Sequence, residues 1–521
     1  MQKFLELERM QPHESLWDVL VQPRPTEMMH FISHEWLGFH HPDPKGVQLE
    51  LMQATFKKFI GGEAESLFEE REWEALLAGA SSPIYSAANM VQERTIVPSE
   101  LPGHVRHGSV WLDYHSIPQV RSTDGFMHAV NSIPHYVERC DYFWICAPRA
   151  THEDLQQARS FFTWQGRGWC RLEKVVNLLS TTLKLPLVVT SPESVRTFDF
   201  MEGLLHHGLQ PQRSVAHGAF TCCQLGHKLT SADGSVQDIM CDKQAIEPVI
   251  GQLFDSLYAH SSSGFDQAAR CNLLRSLAPA IMAGFDCGRK WAPPQTLEDF
   301  LTCFNLSDID STGPLGWPAL LWAVKGASMK VILEINALRP QMIRSLGKAA
   351  VMFLLFIIHR PPREMRELLN LDEGLYEPAV MNDGSLFGFT ALERAAKFGF
   401  HDNLAILLEY GAKTEVTRVD DKSTPLHAAA CNGYPMCAQL LVDCKADVNV
   451  ENYKQRTPLH LAANPLSSVM GNVDMQGKLK VIELLLEAKA NTEAADVQGN
   501  TPLNVAIKTS FLEAVQVLSA H

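Results

Sequence analysis

Three short segments hold most of the residues with which this chain could do chemistry: Ser33-His34-Glu35, Asp113-Tyr114-His115 and Trp169-Cys170-Arg171-Leu172-Glu173. The first two close apolar runs that read as strands. In an open parallel sheet ligands bind beyond the carboxyl ends of the strands, so this polar clustering points to a crevice there. Ser33 and His34 would line it, although a Ser-His pair without a placed third member is not a nucleophilic triad. Asp113 could hydrogen-bond a ribose or cap the following loop. Trp169 could stack on a nucleotide base or fill core at a helix start. Cys222, Cys223, His227 and Cys241 are metal donors by type. Adjacent cysteines are a poor ligand spacing, however, and no metal is expected from them. The 21 histidines are scattered and read mostly as ordinary surface or core residues.

The elements that must position these residues follow from hydrophobic patterning. Between about residues 28 and 190, short apolar runs alternate with helical stretches, the pattern of a parallel sheet with crossover helices. Strands are expected at 29–33, 109–113, 142–147 and 185–190, and helices at 47–60, 64–77, 126–140 and 168–179. Residues 191–310 carry no motif with a mechanism. They offer a turn at 231–235, an amphipathic helix at 246–258 that closes the first domain, and a bridge through Trp291-Ala292-Pro293-Pro294.

The last third is governed by a repeat. Thr424-Pro425-Leu426-His427 returns as Thr457-Pro458-Leu459-His460, 33 residues later, and as Thr501-Pro502-Leu503-Asn504, with a weaker Thr390-Ala391-Leu392 upstream. A Thr hydroxyl caps the free amides of a first helical turn, Pro suits the position just inside, and Leu enters the core. The period and tetrapeptide resemble the ankyrin repeat, whose units bury their apolar faces only by stacking. The 44 residues from Thr457 to Thr501 place an expanded loop at 464–477. Eroded copies are expected from Pro318 and around 351–369. In such stacks the turn tips and first-helix face form the binding surface. Asp421, Lys422, Tyr453, Lys454 and Gln498 are therefore the expected partner contacts.

Composition excludes several classes. With 521 residues, 46% hydrophobic and 20% charged, the chain reads as a globular protein of several domains. A net charge of −14 argues against non-specific nucleic-acid binding. Residues 1–10 lack the apolar core of a signal peptide, and the longest apolar run, 349–358, is too short to span a bilayer. No membrane and no nucleic-acid partner are expected. Twelve cysteines without zinc-finger spacing fit a reducing compartment, and a cytoplasmic or nuclear location is the default.

Phe31-Ile32-Ser33-His34-Glu35-Trp36, then Trp111-Leu112-Asp113 with Ile117-Pro118-Gln119, then Arg167-Gly168-Trp169-Cys170-Arg171-Leu172-Glu173 resemble three successive blocks of the fungal heterokaryon-incompatibility (HET) domain. They are also similar to the distantly related TIR domain, in which Trp-Cys-x-x-Glu opens a helix. The resemblance covers about 160 residues. It departs from the family between Phe31 and Asp113, where an insertion at 36–108 of unassigned role intervenes. In active TIR domains the Glu of this motif serves cleavage of the nicotinamide N-glycosidic bond of NAD, so the resemblance implies Glu173 as the catalytic residue. Nicotinamide is already a cationic leaving group, and one anion facing the ribose suffices in principle. The alternative is that Glu173 caps or pairs on a solvated helix. The resemblance also implies self-association of the N-terminal domain.

The expected architecture is an α/β open parallel-sheet domain of HET/TIR-like type at 1–260, a helical linker at 261–315, and an all-α ankyrin solenoid at 316–521, degenerate over 316–385 and regular over 386–521. The leading expectation is an intracellular interaction and signalling protein that binds a protein partner through its repeats, with the N-terminal domain as effector and no required cofactor. The alternative is an NAD nucleosidase that takes NAD as substrate at Ser33, His34, Asp113 and Trp169 and acts through Glu173.

Overall fold

Tyr142-Phe143-Trp144-Ile145-Cys146 is apolar at every position, and such a run suits a strand covered on both faces. It forms β3 (Tyr142–Cys146), buried throughout. The computed structural model describes residues 1–16, 24, 27–39, 41–68, 99–116, 128, 131–180, 184–197, 214–230, 236–238, 241–259, 265–313, 316–347, 350–384, 388–419, 421–465, 475–509 and 511–521. The expectations at 69–77, 117–119 and 231–235, and most of the expanded loop at 464–477, lie outside them. The chain divides into two units, Met1–Ala292 and Pro293–His521.

In the first unit β1 (Met29–His34) lies parallel to β2 (Ser109–Leu112) and to β3, and β3 lies parallel to β6 (Pro186–Ser191). The sheet order is β2-β1-β3-β6 with β7 (Ser194–Thr197) at the edge. β7 runs antiparallel to β6, so the sheet is mostly parallel rather than wholly so. The reason is local: Pro192 and Glu193 alone join the two strands, and a connection that short permits only an antiparallel return. Among the described residues two short antiparallel pairs complete the strands, β4 (Ala150–Thr151) with β5 (Ala158–Arg159), and β8 (Lys228–Thr230) with β9 (Val236–Asp238).

Alternation in the strands sends Ile32, Trp144 and Val189 to one face, where they pack with Leu49, Met52, Phe56 and Phe59 of helix Val47–Gly61. Trp144 meets the Phe56 and Phe59 rings edge-on at 5.2 and 5.6 Å. On the adjacent positions Phe31 stacks on Trp111 at 4.4 Å and on Phe143 at 5.2 Å. Helix Gly168–Leu179 buries Cys170, Leu172, Glu173, Val176 and Leu179, and its bounds coincide with the sequence expectation. Asp113, expected as the last residue of a strand, instead opens the short helix Asp113–Ser116.

The second unit contains helix pairs of the ankyrin type. Ala391–Phe398 pairs with His401–Glu409, Pro425–Asn432 with Pro435–Asp443, Pro458–Ala463 with Met475–Glu487, and Pro502–Lys508 with Leu512–Ser519. Upstream, helices Ala319–Gly326 and Met329–Leu338, then Ala350–Ile357 and Pro362–Leu369, occupy the stretches where eroded copies were expected. The repeat threonines cap their helices: Thr390 accepts from the Glu393 amide at 3.2 Å and Thr501 from Asn504 at 3.3 Å, while Thr424 and Thr457 form capping boxes with His427 and His460. These histidines also reach forward. His427 Nε2 lies 2.8 Å from the Arg456 carbonyl oxygen and His460 Nε2 lies 3.0 Å from that of Asn500, so each ring bridges consecutive repeats.

Candidate functional site

The carboxyl end of β1 delivers Ser33, His34 and Glu35 in sequence, and each meets a different element. The Ser33 hydroxyl donates to Glu173 Oε2 and accepts from Trp164 Nε1–H at 3.0 Å. His34 Nε2 lies 2.7 Å from Asp113 Oδ1, and its Nδ1 lies 3.0 Å from Gln48 Oε1. Gln48 is held by its own amide, which donates to the Glu35 carbonyl at 2.7 Å, so its oxygen faces the ring. Both ring nitrogens therefore face acceptors, and only the imidazolium donates from both. The second Asp113 oxygen accepts from the Trp36 indole at 3.1 Å.

The electrostatics agree with this geometry. Burial works to lower the His34 pKa, but the charge and hydrogen bond of Asp113, the Gln48 bond and the nearby Glu173 outweigh it and raise it to about 9. Glu173 is only 7% exposed. Burial raises its pKa to about 8, against the Ser33 bond and the His34 charge that favour the anion. At neutral pH the carboxyl is thus mostly protonated beside a charged His34–Asp113 pair.

Glu35 builds an adjoining charged layer. It is buried, ion-paired with Arg159 at 3.2 Å and with Arg167 at 4.0 Å, and accepts from the Thr163 hydroxyl at 2.6 Å. Burial still lifts its pKa above the usual carboxylate range.

Of the residues singled out in the sequence, Ser33, His34, Asp113 and Glu173 are thus linked directly or through shared charge. Trp169 stands apart: its indole donates to Asp242 Oδ2 at 2.8 Å, at the start of helix Asp242–Ala259. Glu35, Gln48, Trp36, Trp164, Arg159 and Arg167 were not singled out as site residues. Glu35 carried a signal as the third polar residue at the end of β1, and Trp36 and Arg167 lie within the first and third motif blocks; the others carried none. A second cluster of donors, Cys222, Cys223, His227 and Cys241, has its ligand atoms within 4.8 Å of one another.

In the repeats, the tips align through main-chain bonds. Val419 N–H donates to Gly388 O at 3.1 Å, Tyr453 N–H to Asp421 O at 2.9 Å, and Val497 N–H to Lys454 O at 3.1 Å. The same tips present exposed apolar side chains, with Val419, Tyr453 and Val497 at 68%, 58% and 56% exposure. Lys422 Nζ lies 4.7 Å from the Tyr453 ring centroid. Asp421, Lys422, Lys454 and Gln498 flank this row, and Asp421 and Lys454 also hold it through their carbonyls. Val419 was missed because nothing in its own repeat marks it; its place in the row appears only when the tips are stacked. Among the described residues, no helix is long and apolar enough to cross a membrane.

Residues 392–471 match the family described as ankyrin repeats (3 copies), and residues 454–497 match the single ankyrin repeat. The chain is 33% identical over 134 residues to alpha-latrotoxin-Lg1a of Latrodectus geometricus, covering 25% of this chain and 9% of that protein. It is 34% identical over 116 residues to the ankyrin repeat and KH domain-containing protein mask of Drosophila melanogaster, covering 22% and 3%. It is 31% identical over 123 residues to inversin of Mus musculus, covering 23% and 11%. The matched segments are thus a small part of each of these relatives.

Proposed function

We propose that this chain is a protein-interaction molecule whose ankyrin repeats bind a protein partner along their tips, with the N-terminal α/β unit as an effector of HET/TIR-like kind. The observation that carries this reading is the row Val419, Tyr453 and Val497. Large apolar side chains held this exposed by a bonded backbone ladder suit a surface that another protein covers, and an aromatic with a cation stacked on it suits its centre. Lys422 and Lys454 would favour an acidic rim on the partner. Exchanging Tyr453 and Val497 for Glu should abolish capture of that partner while leaving the melting temperature unchanged.

A second reading rests on the convergence of Ser33, His34, Asp113 and Glu173 at the carboxyl ends of β1 and β2. In this reading the unit cleaves NAD, with Glu173 as the anion that stabilises positive charge on the ribose. The C1′–N bond breaks, its electron pair leaves with nicotinamide, and water supplies hydroxide to C1′ and a proton to solvent. The arriving cationic nicotinamide ribose would favour ionisation of Glu173, which is otherwise protonated near neutral pH. Nicotinamide release from NAD by the full-length protein, concentrated to allow self-association, tests it.

A further inference from the structure

From Cys222, Cys223, His227 and Cys241 we infer a structural zinc site in the first unit. Ligands at a Zn–S distance of about 2.3 Å around a tetrahedral ion lie about 3.8 Å apart. The measured separations are 3.9 Å from Cys222 Sγ to Cys223 Sγ and 3.7 Å from Cys223 Sγ to Cys241 Sγ. A disulfide would need about 2.05 Å. Since all donor separations fall within 4.8 Å, closing the set on a metal requires contraction of about 1 Å at most.

Local backbone explains how adjacent cysteines serve together. Helix Thr221–Gln224 carries both, and the chain then reverses through Gly226 and His227, at φ 62° and 58°. His227 N–H donates to Cys222 O at 2.7 Å, which returns the imidazole to the thiols. His227 Nε2 is buried and has no hydrogen-bond partner among the described residues. The β8–β9 hairpin then brings Cys241 back to the pair. The Asp242 N–H donates to Cys222 Sγ at 3.4 Å, the kind of amide-to-sulfur bond that steadies a ligating thiolate. With four protein donors and no open position, the site is structural rather than catalytic.

The site would brace the helix that bears Glu173. Gly168 N–H donates to Ala219 O at 2.9 Å, Ala219 N–H to Gly166 O at 2.8 Å, and Arg167 Nη2 to Thr221 Oγ1 at 2.6 Å. The far end of the Phe220 ring packs so closely on Gly168 that a methyl there would fall 2.0 Å from it. Trp169 is tied to Asp242 on the other side of the knuckle. Zinc would therefore staple both ends of the segment on which the start of helix Gly168–Leu179 rests.

The test is elemental analysis of full-length protein purified without chelator and dialysed, followed by cobalt(II) titration of the metal-free chain. The expected result is one zinc per chain and the absorption of tetrahedral cobalt with thiolate charge-transfer bands. Both should be lost in a Cys223→Ser/Cys241→Ser variant and kept in Cys444→Ser. Zinc removal should also speed hydrogen exchange at the Gly168 and Ala219 amides. Wild-type protein that holds no stoichiometric metal and gives no thiolate–cobalt bands overturns the inference, even if the double variant fails to fold. So does an unchanged cobalt spectrum in that variant, or a Cys223–Cys241 disulfide in freshly isolated protein.

Discussion

The Ser33 hydroxyl and the Glu173 carboxyl are hydrogen-bonded across 140 residues of sequence, with the Trp164 indole donating to the same serine oxygen. This small chain of donors fixes the side of the carboxyl that faces the sheet. Among the described residues Glu35 is ion-paired with Arg159 and Asp113 with His34, whereas Glu173 is held by the Ser33 hydroxyl.

If the unit cleaves NAD, Glu173→Gln should lower the rate of nicotinamide release roughly 10²-fold or more, as loss of other preorganised transition-state groups does. Because burial holds the carboxyl pKa at about 8, the wild-type rate should climb as pH rises through that value. Stability should move the other way. Between its ordinary 4.5 and about 8 the folded chain holds a proton that the unfolded chain has lost, so this residue's contribution falls as pH rises. Glu173→Gln should therefore melt higher than wild type above pH 8. Equal turnover by both proteins would remove Glu173 from the mechanism.

His427 should make the repeats sensitive to acid. The Thr424 backbone N–H donates to its Nδ1 at 3.1 Å, so the neutral ring with the proton on Nε2 is the form that bridges to Arg456. Burial depresses its pKa to about 4 from 6.5. Its stabilising contribution is complete above pH 6.5 and is lost as pH falls towards 4, amounting to on the order of 3 kcal/mol. His460, also lowered by burial, adds in the same direction. Urea midpoints measured across that window should drop for wild type and change less for His427→Gln; parallel curves would show that the ring is not the titrating group.

The tetrapeptide was largely legible in the sequence. Thr, Pro and Leu each act within one repeat, through a cap, a fixed φ and a buried side chain. The role of histidine was not legible, because its second bond is to a carbonyl 29 residues on whose position depends on stacking. Helix Gly168–Leu179 could be bounded from local pattern alone. The Ser33–Glu173 bond could not, since nothing local relates two residues so far apart. Likewise, the Trp169 indole was free to point towards base or core, and only the docking of helix Asp242–Ala259 directs it to Asp242. The antiparallel β7 was missed because the two-residue turn before it lies in a stretch without strong alternation.

Leu459 is fully buried between repeats, and Leu459→Ala should destabilise the chain by about 2–5 kcal/mol, the range for truncating a core leucine. Chemical denaturation followed by circular dichroism reads this directly. A change within error would mean that the stack closes over the cavity or that Leu459 is not core.

Binding along the row of tips is tested most directly by comparing wild type with Tyr453→Glu/Val497→Glu as bait under identical conditions, with melting temperatures taken alongside. Both residues are more than half exposed, so the fold should be unaffected. The predicted result is a partner enriched by wild type, absent from the variant, and bound to purified wild-type protein with an affinity at least tenfold tighter than to the variant, a difference of about 1.4 kcal/mol. Equal recovery and equal affinity for both proteins at unchanged melting temperature would contradict binding through the tips.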